Sequence, residues 1–135
     1  MALQYSTAVR NAQLDALEST ISTSAVLKIR TGAAPANVAT ADSGTVLATM
    51  SLPSDWLAAA SSGSKAKSGT WQDASADATG TAAHFRIYAS DGTTAHIQGT
   101  VTATGGGGDI TLDNTSIASG QVVTISTFSI SAANA

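Results

Sequence analysis

The sequence predicts a mostly β chain, an antiparallel β-sandwich or jelly roll entered through one N-terminal α-helix. Three observations carry this. A helical spacing of apolar residues occurs once, near the start, and gives way after residue 24 to alternation of period two. Gly, Pro, Asn and Asp clusters interrupt the alternating stretches at irregular intervals. No unit recurs at a fixed period, which argues against a solenoid or propeller.

The helix comes first. Leu14, Leu17 and Ile21 stand at i, i+3 and i+7, Asp15 and Glu18 keep the flank polar, and Thr7 is the expected N-cap. Its stripe is narrow, and a helix this short is marginal alone in water, so it must dock on its own sheet or on a neighbouring subunit. Residues 1–24 therefore read as an arm plus helix, and residues 25–135 as one compact β-sandwich domain.

Residues 25–31 alternate, with Leu27 and Ile29 on one face and Lys28 and Arg30 on the other. A loop of Gly, Ala, Pro and Asp follows, then a strand over 45–52. Pro53 is placed to start one helical turn over 56–60. Residues 61–68 read as a loop carrying Lys65 and Lys67, and 69–73 as a short strand around Trp71. The clearest element is a hairpin of 82–89 and 93–103. A three-residue loop, Ser90-Asp91-Gly92, keeps its apolar face consistent by pairing Phe85 with Ile97 and Ile87 with Ala95. The four glycines 105–108 break the sheet before a strand over 109–112. The last strand, 121–131, changes face between Ile125 and Phe128, as a bulge or a bend between two sheets would require.

Composition narrows the function. The chain has 135 residues, 43% of them hydrophobic, yet with two Phe, two Trp and two Tyr it has few large core blocks. Ala, Ser and Thr make up roughly half the chain. So thin a core favours burial against copies of itself (a dimer or trimer) or against a partner. Six Lys+Arg against nine Asp+Glu give a net charge of −3, without the basic footprint of a nucleic-acid or membrane-surface binder. Residues 1–10 show no basic region leading into an apolar run, and no apolar stretch is long enough to span a bilayer. Synthesis in the cytoplasm is the expectation.

The candidate chemistry is weak. His84 and His96 are expected as diagonal neighbours on one hairpin face, but no carboxylate joins them and Arg86 would oppose a cation there. Gly105–Gly108 is followed by Asp109 and a strand, which is not the helix that a phosphate cradle needs. The loop acids Asp73, Asp77, Asp109 and Asp113 have no calcium-loop spacing. No Gly-x-Ser-x-Gly elbow is present, and nothing assembles nucleophile, base and orienter. The sequence thus predicts no enzyme, no cofactor and no metal. Trp56 and Trp71 are the best anchors, both suited to the core; Trp56, between Pro53 and a run of small residues, is equally suited to an interface.

Two stretches carry a resemblance: residues 1–15 (Met-Ala-Leu-Gln-Tyr-Ser-Thr-Ala-Val-Arg-Asn-Ala-Gln-Leu-Asp), and the run from His84-Phe85-Arg86-Ile87-Tyr88 through the four glycines to Leu112-Asp113-Asn114-Thr115. In them the chain resembles small virion structural proteins of tailed bacteriophages, most of all a jelly-roll capsid cement (decoration) protein. The resemblance implies a non-enzymatic protein on the capsid surface that bridges major capsid protein subunits through many weak contacts. It also leaves room for a tail, collar or head-fibre station. The expected partner interface is the N-terminal segment, Leu3, Tyr5, Val9, Leu14 and Leu17, with docking on its own sheet as the alternative; Trp56 joins that interface as a hot spot if it does not fill core.

Overall fold

A computed structural model describes residues 3–132. It is mostly β, with one helix, α1 (Thr7–Ile21). The strands are β1 (Val26–Arg30), β2 (Val46–Ser51), β3 (Ser64–Ala66), β4 (Trp71–Asp73), β5 (Gly80–Thr81), β6 (His84–Tyr88), β7 (Ala95–Ala103), β8 (Ile110–Leu112), β9 (Ser116–Ile117), β10 (Val123–Ile125) and β11 (Ser129–Ser131). A five-stranded sheet runs β2-β1-β6-β7-β8, and three two-stranded ladders pair β10 with β4, β11 with β3 and β5 with β9.

Alternation sets the core. Leu27 and Ile29 of β1 face Ile87 and Phe85 of β6 on one side and Met50 and Ala48 of β2 on the other. These residues belong to one apolar cluster with Trp71 of β4, Val123 and Ile125 of β10, Ile117 of β9 and Ile21 of α1. The ladders and the helix therefore close over the apolar face of the large sheet. The aromatic rings form a chain through it: Trp56 to Trp71 at 6.0 Å, Trp71 to Phe128 at 5.3 Å, and Phe128 edge-on to Phe85 at 5.9 Å. Gly99, directly opposite Phe85, leaves room for the Phe85 ring, which a Cβ would meet at 2.7 Å.

Several elements differ from expectation. The helix cap is Ser6, whose hydroxyl accepts from Val9 N, one residue earlier than Thr7. Residues 56–60 are not helical. They run beside 66–68, with Ala58 N donating to Ala66 O and Ser68 N to Trp56 O, so pairing satisfies amides that a single helical turn would leave open. Lys65 lies on a strand rather than in a loop.

The hairpin keeps its predicted faces but slides by two residues, pairing Phe85 with Gly99 and Ile87 with Ile97. A bulge after Ile87 and a longer loop closed by Ala89 N to Thr94 O account for the shift. Asp91 organises that loop by accepting from the amides of Thr93 and Thr94. The segment after Phe128 does change sheets, since β10 and β11 belong to different ladders.

One pairing is parallel where antiparallel was expected: Val101, Thr102 and Ala103 of β7 align with Ile110, Thr111 and Leu112 of β8. Parallel neighbours usually need a connection of about a dozen residues. Here the four glycines make a shorter return. A Cβ on Gly106 or Gly108 would meet the Thr102 side chain at 2.8 Å, and Gly108 N instead donates to Thr102 Oγ1.

Candidate functional site

The predicted interface residues separate into two groups. Leu14 is buried and Leu17 is half-buried against the core, so the helical stripe docks on the chain's own body. Trp56 is 0% exposed and donates its indole N–H to Ser22 O, which is the core alternative for that residue. Leu3, Tyr5 and Val9, by contrast, are 73%, 42% and 44% exposed. Among the described residues the only other large hydrophobic side chain so exposed is Val122.

The base of this apolar arm is held firmly. Lys65, with its side chain 2% exposed, sends its ammonium to Asp15 at 2.7 Å and Glu18 at 2.8 Å, one turn apart on α1. Burial pushes the Lys65 ammonium towards neutrality, but the bonds it donates to Asp15 and Glu18 outweigh it and raise its pKa. The Asp15 carboxyl is held below the usual range by the hydrogen bonds from Lys65 and from Ala60 N. Arg10 Nε donates to Ala132 O, and Gly63 N donates to Asn11 Oδ1. Gly63 has φ +74°, a conformation in which an L side chain is strained, and a Cβ there would push the flexible end of Arg10 aside from 2.4 Å. Beside the helix lies an open cleft of about 320 Å³ floored by Leu17, Phe85, Ile97, Phe128 and Ile130.

The second face of the large sheet carries a cluster of polar and charged side chains that alternation places together without showing that they are covered. Lys28, Arg30, His84, Arg86, Tyr88 and Gln98 share that face, and residues 31–45 fold over it as a strap. The Asp42 carboxylate accepts from Arg30 Nη2 at 2.8 Å, Arg86 Nη1 at 2.7 Å and the Tyr88 hydroxyl at 2.8 Å. Partial burial pushes the Asp42 carboxyl up, but the bonds from Tyr88 and Arg86 and the nearby guanidinium charges prevail and hold it low. Burial, with the bond to Asp42, raises the Tyr88 hydroxyl.

Backbone carbonyls of the strap complete the seam: Asn37 O accepts from Arg86, Pro35 O from Gln98, Gly44 O from Arg30 and Gly32 O from His84. Lys28 turns away to Gly92 O and lies over the Tyr88 ring. The available sequence signal was the lone Asp42 in an Ala-rich loop facing an alternating His-Arg-Tyr strand.

The other candidates do not converge. His84 is buried opposite Thr100, whereas His96 is exposed further along β7, so the two histidines share no site. No group of three or more His, Cys, Asp or Glu that could hold a metal occurs among the described residues. Asp73 accepts from Thr49 N, Asp77 from Thr49 Oγ1 and Asp109 from Thr100 N, each closing a local backbone or hydroxyl group. Asp113 is exposed. All six Lys and Arg side chains donate within the chain, and none lies in the most exposed class.

No protein-family model matches this chain, and neither a curated protein nor a solved structure matches it.

Proposed function

We propose that this protein is a non-enzymatic structural component of a tailed-phage particle. More narrowly, it is a capsid cement protein with a jelly-roll-like sandwich body on the outer shell. The observation that carries the reading is the arm: Leu3, Tyr5 and Val9 expose apolar surface on a segment whose base is clamped to the body. An apolar segment on a rigid support suits a surface that a partner covers. The internally engaged lysines and arginines leave little basic surface for nucleic acid, which favours a protein partner.

The major capsid protein is that partner, with further contacts between copies of this chain. Each contact is weak and the lattice multiplies it. In such an assembly the protein is made in the host cytoplasm and acts at the virion surface. The sandwich assignment rests on the β-rich fold and on the resemblance of residues 1–15 and 84–115 to cement proteins.

Electron cryo-microscopy of the particle tests this. The cement role requires density at hundreds of repeating shell positions, with residues 3–9 crossing a subunit boundary. A few copies at the portal, collar or tail would move the protein to the alternative station. Absence from the particle would refute the phage assignment.

A further inference from the structure

We propose that Arg30 and His84 hold one water molecule between them, sealed beneath the strap of residues 31–45. The two residues are direct cross-strand partners on β1 and β6 and share the strap-covered face. Both are more than nine-tenths buried. Each presents one buried ring or guanidine nitrogen that no protein atom partners, Arg30 Nε and His84 Nε2.

The chemistry of these two atoms is complementary. His84 Nδ1 lies 2.6 Å from Gly32 O, and a carbonyl only accepts, so Nδ1 carries the hydrogen. In the neutral imidazole Nε2 is then a lone-pair acceptor without a donor. Arg30 Nε–H is a donor without an acceptor, because the guanidinium spends its terminal nitrogens on Asp42 and Gly44 O. Gly32 O fixes the ring, and Asp42 with Gly44 O fixes the fork, so swinging either side chain to meet the other would break a bond already made. A single water both accepts from Arg30 and donates to His84. An anion would face the Nε2 lone pair, and a cation would face the guanidinium. The bound water would also couple the two ends of the strap, since Gly32 is held by His84 and Gly44 by Arg30.

Two measurements on the full chain test this. Long-range ¹H–¹⁵N spectra should show His84 with a protonated Nδ1 and an unprotonated Nε2. A high-resolution crystal structure should place one water about 2.7–3.2 Å from both Nε2 and Arg30 Nε. An Nε2–H tautomer, a direct Arg30–His84 bond, or density with the coordination of an anion would each overturn the proposal.

Arg30→Lys keeps the charge and removes the Nε–H. It should leave the His84 tautomer unchanged but abolish the water-to-imidazole cross-relaxation expected of the parent. Persistence of that cross-peak would rule out Arg30 as the second partner. If the variant does not fold, the parent's tautomer and density decide alone.

Discussion

The five-stranded sheet is covered on both faces at its centre, and the two covers obey opposite rules. One face presents Leu27, Ile29, Phe85 and Ile87 to other apolar side chains. The other presents Arg30, His84, Arg86 and Tyr88 to a strap that contributes no buried side chain of its own. On the apolar side, burial is non-directional and scales with area removed from water. On the strap side it is tolerated only because nearly every donor finds an acceptor, and each missing partner costs the full desolvation of the group left behind. A thin core can thus extend its ordered interior by satisfying polar groups, at the cost of tolerance to change.

The apolar face should show the largest single loss. Trp71 touches both Trp56 and Phe128 and links the ladder of β4 to the large sheet. Trp71→Ala is expected to destabilise by about 3–5 kcal/mol, read as a fall in the denaturant midpoint. A loss below about 1 kcal/mol would mean that the aromatic chain is not the keystone of this core.

The strap side should come next, and by a different mechanism. Arg86→Ala strips donors from Asp42, Gln98 and Asn37 O at once, for an expected loss of about 3 kcal/mol. Protease cleavage should then appear within residues 31–45 before the rest of the chain. If Arg86→Met were as stable as the parent, the seam would serve specificity of strap placement rather than stability, which is a known outcome for buried ion clusters.

Asp42 gives the seam a pH signature. Its folded pKa lies below the unfolded value, so its contribution is present above about pH 4 and is lost as pH falls through the folded pKa. Asp42→Asn should flatten that part of the acid limb. Its cost at neutral pH should be about 1–2 kcal/mol, discounted because the side chain is 35% exposed. The alkaline limb has the opposite sign. Lys65 and Tyr88 have raised folded pKa values, so their contributions hold below about pH 10 and fade as pH rises through those values. Lys65→Met should flatten the alkaline limb and loosen α1 while leaving the strap protected.

How far the sequence predicted this depends on which face is considered. Period-two alternation placed Leu27, Ile29, Phe85 and Ile87 together because an apolar face needs no particular partner, only others like it. The same alternation put Arg86 and His84 on the second face but could not say that it was covered. That depends on Asp42, far from Arg86 in sequence and within an Ala-rich loop without periodicity. The parallel β7–β8 return was hidden for a related reason. Four glycines announce a break, but only contact with Thr102 shows that the chain folds back alongside itself. The helical turn expected over 56–60 is absent because the helix-favouring Ala58 to Ala60 are overridden by pairing with residues 66–68. At the interface, apolar character could nominate Leu3, Tyr5, Leu14 and Trp56 equally; tertiary packing separated them.

The arm belongs to neither face, and it should give the smallest stability effect with the largest functional one. Leu3 and Val9 are exposed, so Leu3→Ser combined with Val9→Ser should change unfolding free energy by less than about 1 kcal/mol. Under the cement proposal the same double variant should fail to decorate shells that the parent saturates, because each arm contact is repeated across the lattice and its loss is multiplied in the same way. Lost stability with retained decoration would mean that the arm serves the fold, and that the binding surface lies on the body.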